Sequence, residues 1–76
     1  MKKVDESKVL KDLGKRIAYL RHKKGYTQLS LSLEANVTKS YLSDLERGAR
    51  NPSIKVLSRI AFALSVPLGC LFQNDD

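Results

Sequence analysis

The segment TQLSLSLEANVTKSYLSDLERGARN (residues 27–51) constrains the fold most, because it holds two short helical patterns that are separated by one break in the periodicity. In the first pattern, Leu31 and Ala35 lie four residues apart and can face inward from one helix, with Thr27 as its cap. The alternating leucines and serines of the same stretch would also fit a strand. We reject the strand because no second run of strand character exists to pair with it. A helix over 28–35 is therefore predicted.

A corner and a second short helix follow. Asn36 stands at the break, and asparagine tolerates the left-handed backbone conformation that a sharp turn requires. Thr38 can then cap a helix over 39–47, in which Leu42 and Leu45 face inward. The segment is therefore predicted to fold as two helices joined by a short corner.

The flanking sequence continues the helical periodicity. Apolar residues predict a helix over 7–23 and another over 54–64, and a short fifth helix after Pro67. A chain of 76 residues with 42% hydrophobic content is near the lower size at which a core suffices without disulfides or metals. We predict an all-α fold of five helices in one domain spanning 1–76, with an ordered core over about 7–72.

Charge and cysteine content narrow the function classes. The net charge is +6, with 14 Lys and Arg against 8 Asp and Glu, which favours a polyanionic partner such as nucleic acid. Most of this excess lies on the first helix, where a solvated face explains it as well. The single cysteine, Cys70, suits a reducing cytosol. With no signal peptide and no run of roughly 20 apolar residues, we expect a cytoplasmic protein that does not enter a membrane.

Catalysis and cofactor binding have little support in the sequence. His22 is the sole histidine, lies in a basic run and has no second histidine or cysteine at metal-ligand spacing, so we predict a solvated side chain. Cys70 lacks a nearby base or second thiol and is predicted to pack inertly. No glycine-rich phosphate loop is present. We predict that the protein is not an enzyme and requires neither a metal nor a cofactor.

The outward face of the helix over 39–47 carries a polar stripe. The stripe begins at Lys39. Its other members fall at i, i+3, i+4 and i+7, and they are Ser40, Ser43, Asp44 and Arg47. The major groove of DNA admits a helix, and short hydroxyl side chains let the backbone approach while Lys or Arg reaches guanine or phosphate. Because any exposed helix has a polar face, the stripe alone leaves a plain surface helix as an equal alternative.

Six positions carry a recognisable spacing across the corner: Gln28, Leu31, Ala35, Val37, Leu42 and Leu45. This spacing resembles the helix-turn-helix of the phage repressor and Cro-like family, also called the XRE family. The run SYLSDLERGARNPS is similar to the small single-domain members, including the controller proteins of restriction-modification systems. The resemblance implies a lambda-repressor-like domain that binds double-stranded operator DNA. Ser32 and Asn36 replace the usual alanine and glycine without threatening the fold.

The resemblance also implies roles for individual residues. The glutamine that opens the second helix contacts a phosphate in this family, which transfers to Gln28. The first exposed positions of the third helix read bases in the family, and here these are Lys39, Ser40 and Ser43.

The other predicted DNA-binding residues flank these readers. Thr38 and Arg47 stand at the two ends of the third helix. Tyr41 is implicated by the similarity to controller proteins, while a ring packed on the second helix is an equal alternative. Arg50 and Asn51 resemble the phosphate-anchoring loop of the family, which fixes register without reading bases. A merely solvated loop is the alternative for these two residues.

Two carboxylates are predicted to be architectural. Asp44 could accept a hydrogen bond from cytosine, but we favour a role in holding neighbouring Lys or Arg side chains. Glu46 and Arg21 occupy positions at which relatives pair a carboxylate of the third helix with an arginine of the first. Such a pair, if buried, would be costly to break.

A homodimer is expected, because one helix reads only a few base pairs and two copies one helical turn apart multiply the specificity. Four C-terminal apolar residues are candidates for its interface: Phe62, Leu68, Leu71 and Phe72. Core packing explains any one of them equally well. Leu29 and Leu33 lie one turn apart at positions that are usually polar in the family, so they cover a neighbouring element or offer a partner surface.

The predicted function is a transcriptional regulator that binds duplex DNA. We expect no small-molecule effector, because the chain leaves no room for a ligand-sensing domain. The alternative is an antitoxin or adapter-type protein that uses the same scaffold to bind a partner protein.

Overall fold

The structure is a computed structural model that describes residues 5–73. Its helices, in chain order, are α1 (Glu6–Lys23), α2 (Gln28–Ala35), α3 (Lys39–Glu46), α4 (Ile54–Ala63) and a 3-10 helix (Leu68–Phe72). Residues 5–73 contain no strand, so the all-α prediction is confirmed. The α-helices end within one residue of their predicted bounds. The outer parts of the predicted domain, 1–4 and 74–76, lie outside the described residues.

Each α-helix begins at a short polar side chain that accepts a hydrogen bond from an amide of the first turn, as helix caps do. The caps are Asp5, Thr27, Thr38 and Ser53. At α2 the Ser30 hydroxyl also accepts from the Thr27 amide at 2.9 Å, which completes a reciprocal capping box. Thr27, Thr38 and Ser53 explain why the starts of α2, α3 and α4 could be predicted so closely, whereas the Asp5 cap of α1 was not predicted.

The corner between α2 and α3 is made by Asn36. Its φ of 57° and ψ of 47° lie in the left-handed region, as predicted for an asparagine at this break. The next amide, that of Val37, donates to the Ser32 carbonyl at 3.0 Å and so satisfies a carbonyl at the end of α2. The backbone therefore turns sharply with a carbonyl of α2 satisfied, and α3 begins at Lys39 and packs against α2.

The fifth helix differs from the prediction in type. Leu68–Phe72 forms a 3-10 helix of five residues, so the described chain contains four α-helices. Pro67 precedes it in an extended conformation, and the Cys70 amide donates to the Pro67 carbonyl at 3.0 Å, which is the i to i+3 bond of a 3-10 turn. A five-residue segment that contains Gly69 has too little helix propensity to become an α-helix.

One hydrophobic core joins the five helices. α2 packs against α3 and α4, α1 packs against α3, and the 3-10 helix closes the base against α1 and α4. The core residues are Leu13, Ile17, Leu20, Leu31, Ala35, Leu42, Leu45, Leu57, Ile60, Ala61, Leu64 and Leu71. The inward positions predicted for α2 and α3 are therefore confirmed, and the opposite face of α3 is left for contact with solvent or a partner.

Two small residues permit the close packing of these helices. Gly14 of α1 lies so near the end of α3 that a Cβ there would be 2.5 Å from the carbonyl oxygens of Leu45 and Glu46. Ser32 is buried where the family usually has alanine, and its hydroxyl donates to the Leu29 carbonyl of its own helix at 2.7 Å. The extra oxygen is thus satisfied locally, which explains why this departure does not disturb the fold.

Candidate nucleic-acid interface

The outward side of α3 forms a continuous polar surface, as the sequence predicted. Its members line one shallow depression and are Lys39, Ser40, Ser43, Asp44 and Arg47, which we call the α3 polar face. Lys39, Ser40 and Arg47 are exposed, whereas Leu42 and Leu45 on the other side of the helix have no exposed surface. Nothing from the core covers this face, so α3 is available to enter a groove as wide as the major groove of DNA.

Arginine side chains at the end of this face are held by one carboxylate. The two oxygens of Asp44 each accept from a different arginine: Oδ1 from Nη2 of Arg47, and Oδ2 from Nε of Arg50 at 3.3 Å. The guanidinium of Arg50 also lies over the ring of Tyr41, 5.2 Å from its centroid. The prediction that Asp44 holds neighbouring basic side chains is therefore confirmed.

Tyr41 sits on the border between core and surface. Its ring is half-buried and packs against the hydrophobic core, while Arg50 covers it from outside. This placement agrees with the packed alternative for the ring and leaves its role toward DNA a prediction. Thr38 is exposed at the start of α3, where its hydroxyl oxygen accepts from the Tyr41 amide at 3.0 Å.

A buried ion pair joins α1 to the end of α3. Arg21 donates through Nε to Oε2 of Glu46 at 2.7 Å and through Nη2 to Oε1 at 3.0 Å. The two side chains are only 9% and 7% exposed, so the predicted pair is confirmed as a buried, bidentate ion pair. Arg21 Nη1 also donates to the Tyr26 carbonyl at 3.1 Å, which fixes the α1–α2 loop.

Gln28 joins the same network. Its Nε2 donates to Oε1 of Glu46 at 3.0 Å, and the side chain is half-buried at the first position of α2. No feature of the sequence indicates this bond, because the two residues are 18 positions apart and the family resemblance points Gln28 at a phosphate. The bond orients the amide, and the second hydrogen of Nε2 can still be donated outward.

The loop after α3 brings a further predicted residue beside α1. Asn51 is exposed and shares a shallow depression with Glu6, Val9 and Leu10. Gly48, at the start of the loop, has a φ of +78°, and a Cβ there would lie 2.9 Å from Cγ of Lys11. The loop is therefore closely fitted to α1, and only glycine suits both the backbone conformation and the contact.

The residues predicted for the dimer interface lie on different parts of the surface. Phe62 is 87% exposed, beside the end of α2, and Phe72 is 52% exposed. Leu68 is half-buried, while Leu71 has no exposed surface and fills the core. Leu71 thus contributes to the protomer itself, because a side chain without exposed surface has none to offer a partner.

Other surface residues were judged from the sequence with mixed success. Leu33 is 72% exposed and Leu29 is 53% exposed, so the covering alternative does not apply within the described chain. His22 is exposed, as predicted, and Cys70 is half-buried, with its sulfur 3.3 Å from Nη2 of Arg16. Arg59 was missed: its Nε donates to the Ala35 carbonyl at 3.1 Å and so caps the end of α2.

No helix within residues 5–73 has the length and apolar character needed to cross a membrane. The same residues contain no grouping of three or more His, Cys, Asp or Glu side chains that could hold a metal ion.

Comparison with known proteins gives a consistent match. Residues 17–69 match the family described as "Helix-turn-helix" (HTH_3). The immunity repressor protein of Bacillus phage phi105 is 37% identical over 63 residues, which cover 83% of this chain and 44% of that protein. The chain spans about half the length of the curated relatives it matches.

Solved structures of similar shape include a controller protein and a regulator. The restriction-modification controller protein C.AhdI from Aeromonas hydrophila has a TM-score of 0.82 and 35% identity, with 83% of this chain and 96% of that chain covered. SinR, described as a master regulator for biofilm formation and solved in complex with DNA, has a TM-score of 0.76 and 40% identity, with 80% of this chain and 98% of that chain covered.

Proposed function

The chain belongs to the helix-turn-helix family of DNA-binding transcription regulators, and on that premise we propose that it recognises specific sequences of double-stranded DNA with α3 in the major groove. The observation that carries this proposal is the α3 polar face, which is exposed while the other side of the helix is buried in the core. A helix presented in this way can enter a groove without any rearrangement of the fold.

Reading and anchoring are divided along this surface. Lys39, Ser40 and Ser43 lie on the α3 polar face and contact base edges. Arg50, exposed in the following loop, and Gln28, oriented by Glu46, contact phosphates and fix the register. The remaining predicted contacts adjoin these groups: Thr38, Tyr41 and Arg47 on α3, and Asn51 in the loop.

The functional unit is a homodimer. α3 is eight residues long and reads only part of an operator, so two copies are needed for high specificity. Phe62, Phe72 and the half-buried Leu68 are the candidates for self-association, because large exposed aromatic side chains gain most from burial. Leu71 has no exposed surface and takes part only through the core.

The experiment is a selection followed by a binding ratio. A randomised pool of duplex DNA is enriched on the purified protein. The selected duplex is then compared with a random duplex in a mobility shift at physiological salt. A regulator binds the selected duplex about 10³-fold or more tightly than the random one. Failure to enrich any sequence, or equal weak binding of both duplexes, refutes the proposal and favours the protein-binding alternative.

A further inference from the structure

Asp44 is an unusual residue to find on a surface that faces DNA. It is the one carboxylate on the α3 polar face, which otherwise carries Lys39, Arg47 and two serines. Its side chain is 28% exposed, so it is not withdrawn into the core. A negative charge here is repelled by phosphates and reduces the attraction of the surface for any duplex.

Helix stability does not explain Asp44 either. The residue lies in the last turn of α3, whose bounds are Lys39–Glu46. The helix dipole disfavours negative charge at this end, and an acidic side chain is favourable only near the start of a helix. Its contribution must therefore come from its partners.

Those partners are the two arginines that flank the reading positions. One carboxylate oxygen of Asp44 is used by Arg47 and the other by Arg50, whose guanidinium is confined on a second side by the Tyr41 ring at 5.2 Å. Each contact uses one of the five N–H donors of a guanidinium, so both arginines keep donors for DNA. Their orientations are thereby restricted before any DNA arrives.

We propose that Asp44 sets the sequence specificity of the α3 polar face by holding Arg47 and Arg50 in fixed orientations, at the expense of general affinity for DNA. This inference rests on the proposed function. In the matched complex the arginines bind without a further ordering cost, because that cost has already been met in the free protein. In a mismatched complex they cannot reorient to reach other phosphates unless they leave Asp44.

The test compares Asp44→Asn with a matched control, Asp12→Asn. Asp12 is an exposed carboxylate on α1 that accepts from Lys8 Nζ at 2.8 Å, and this hydrogen bond lowers the pKa of Asp12. Both substitutions remove one negative charge, but only one of them releases Arg47 and Arg50. The probes are the duplex selected on the wild-type protein and a random duplex of equal length.

Asp44→Asn is expected to change the two affinities in opposite directions. The Kd for random duplex falls about two- to fivefold, the effect of one exposed charge. The Kd for the selected duplex rises about tenfold, because two long side chains must now be ordered on binding. Asp12→Asn leaves the ratio of the two Kd values within about twofold of wild type, since its effect on both probes is the same weak, screened charge effect.

A second background separates an action through the arginines from direct base reading. Adding Asp44→Asn to the Arg47→Ala/Arg50→Ala variant should leave the Kd ratio unchanged within about twofold, because no side chain remains to be oriented. An equal shift of both Kd values in Asp44→Asn overturns the inference, as does a loss confined to one cytosine position or a full effect in the double-alanine background. If the wild-type protein itself selects no sequence, the proposed function has failed, which is a different result.

Discussion

Gly14 lies where α1 contacts the backbone at the end of α3, and there is no space for a larger side chain. An alanine Cβ at this position would lie 2.5 Å from the carbonyl oxygens of both Leu45 and Glu46, whereas ordinary contacts of a Cβ begin near 3.4 Å. The difference between these distances is about 0.9 Å, and the atoms in the way are backbone, so no side-chain rotation can relieve the clash. The two helices must separate if Gly14→Ala is to fold.

Two opposing effects decide whether Gly14→Ala raises or lowers the free energy of unfolding. Overpacking of a close contact costs about 1–3 kcal/mol, and a backbone clash belongs at the upper end of that range. Replacing a helical glycine by alanine returns about 1 kcal/mol of helix propensity. We therefore expect Gly14→Ala to lower the free energy of unfolding by about 2 kcal/mol, which corresponds to a Tm lower by roughly 8–16 °C in a domain of this size.

The assay is urea and thermal unfolding followed by far-UV circular dichroism. Gly69→Ala is the matched control, because a Cβ at Gly69 meets nothing within 4 Å and its φ is not in the left-handed region. The control should be neutral or more stable by up to about 1 kcal/mol. If Gly14→Ala proves as stable as Gly69→Ala, the close approach of α1 to α3 is wrong.

Three further substitutions test the buried pair, the reading surface and the dimer. Glu46→Ala leaves the buried Arg21 guanidinium without its carboxylate and should lower the free energy of unfolding by about 3–5 kcal/mol in urea titrations. Lys39→Ala should change which bases are preferred, by about 1–3 kcal/mol, whereas Arg50→Ala should leave the order of preferred bases unchanged and reduce the salt slope by about one phosphate contact, both read from mobility shifts. Phe62→Ser should raise the dimer dissociation constant by about tenfold or more in analytical ultracentrifugation, and it should leave the Tm unchanged at protein concentrations at which the chain is monomeric, because the side chain is 87% exposed.

Each of these predictions has an outcome that contradicts it. A stable Glu46→Ala protein would mean that the pair contributes nothing to the fold. Identical effects of Lys39→Ala and Arg50→Ala would remove the division between reading and anchoring. An unchanged dimer in Phe62→Ser, or an equal loss in the comparably exposed Leu33→Ser, would place the interface elsewhere.

Local chemistry explains the parts of the fold that the sequence predicted well. The start of α2 was predicted because Thr27 caps it, and its end because Asn36 adopts the left-handed conformation. Both signals act within one helical turn, so they can be read without knowing the rest of the structure. The buried Arg21 and Glu46 pair was different, since only the family resemblance brought those positions together.

Long-range and geometric details were out of reach. The bond from Gln28 to Glu46 and the contact of Arg50 with the Tyr41 ring depend on how α2, α3 and the loop are placed in three dimensions. The sequence around Gly14 does not predict a turn, because this glycine lies within α1 and permits the close contact with α3. The fifth predicted helix is a 3-10 helix, and the sequence does not reveal this, since apolar spacing over five residues does not distinguish i to i+3 from i to i+4 bonding.

Binding of DNA by α3 can be tested by mapping amide chemical shifts in a titration of the labelled protein with the selected duplex. The largest changes are expected on the α3 polar face and at its flanking anchors, with Gln28 and Arg50 among them, while the amides around Phe62 on α4 change little. Changes centred on α4 with an undisturbed α3 would show that DNA does not bind at α3.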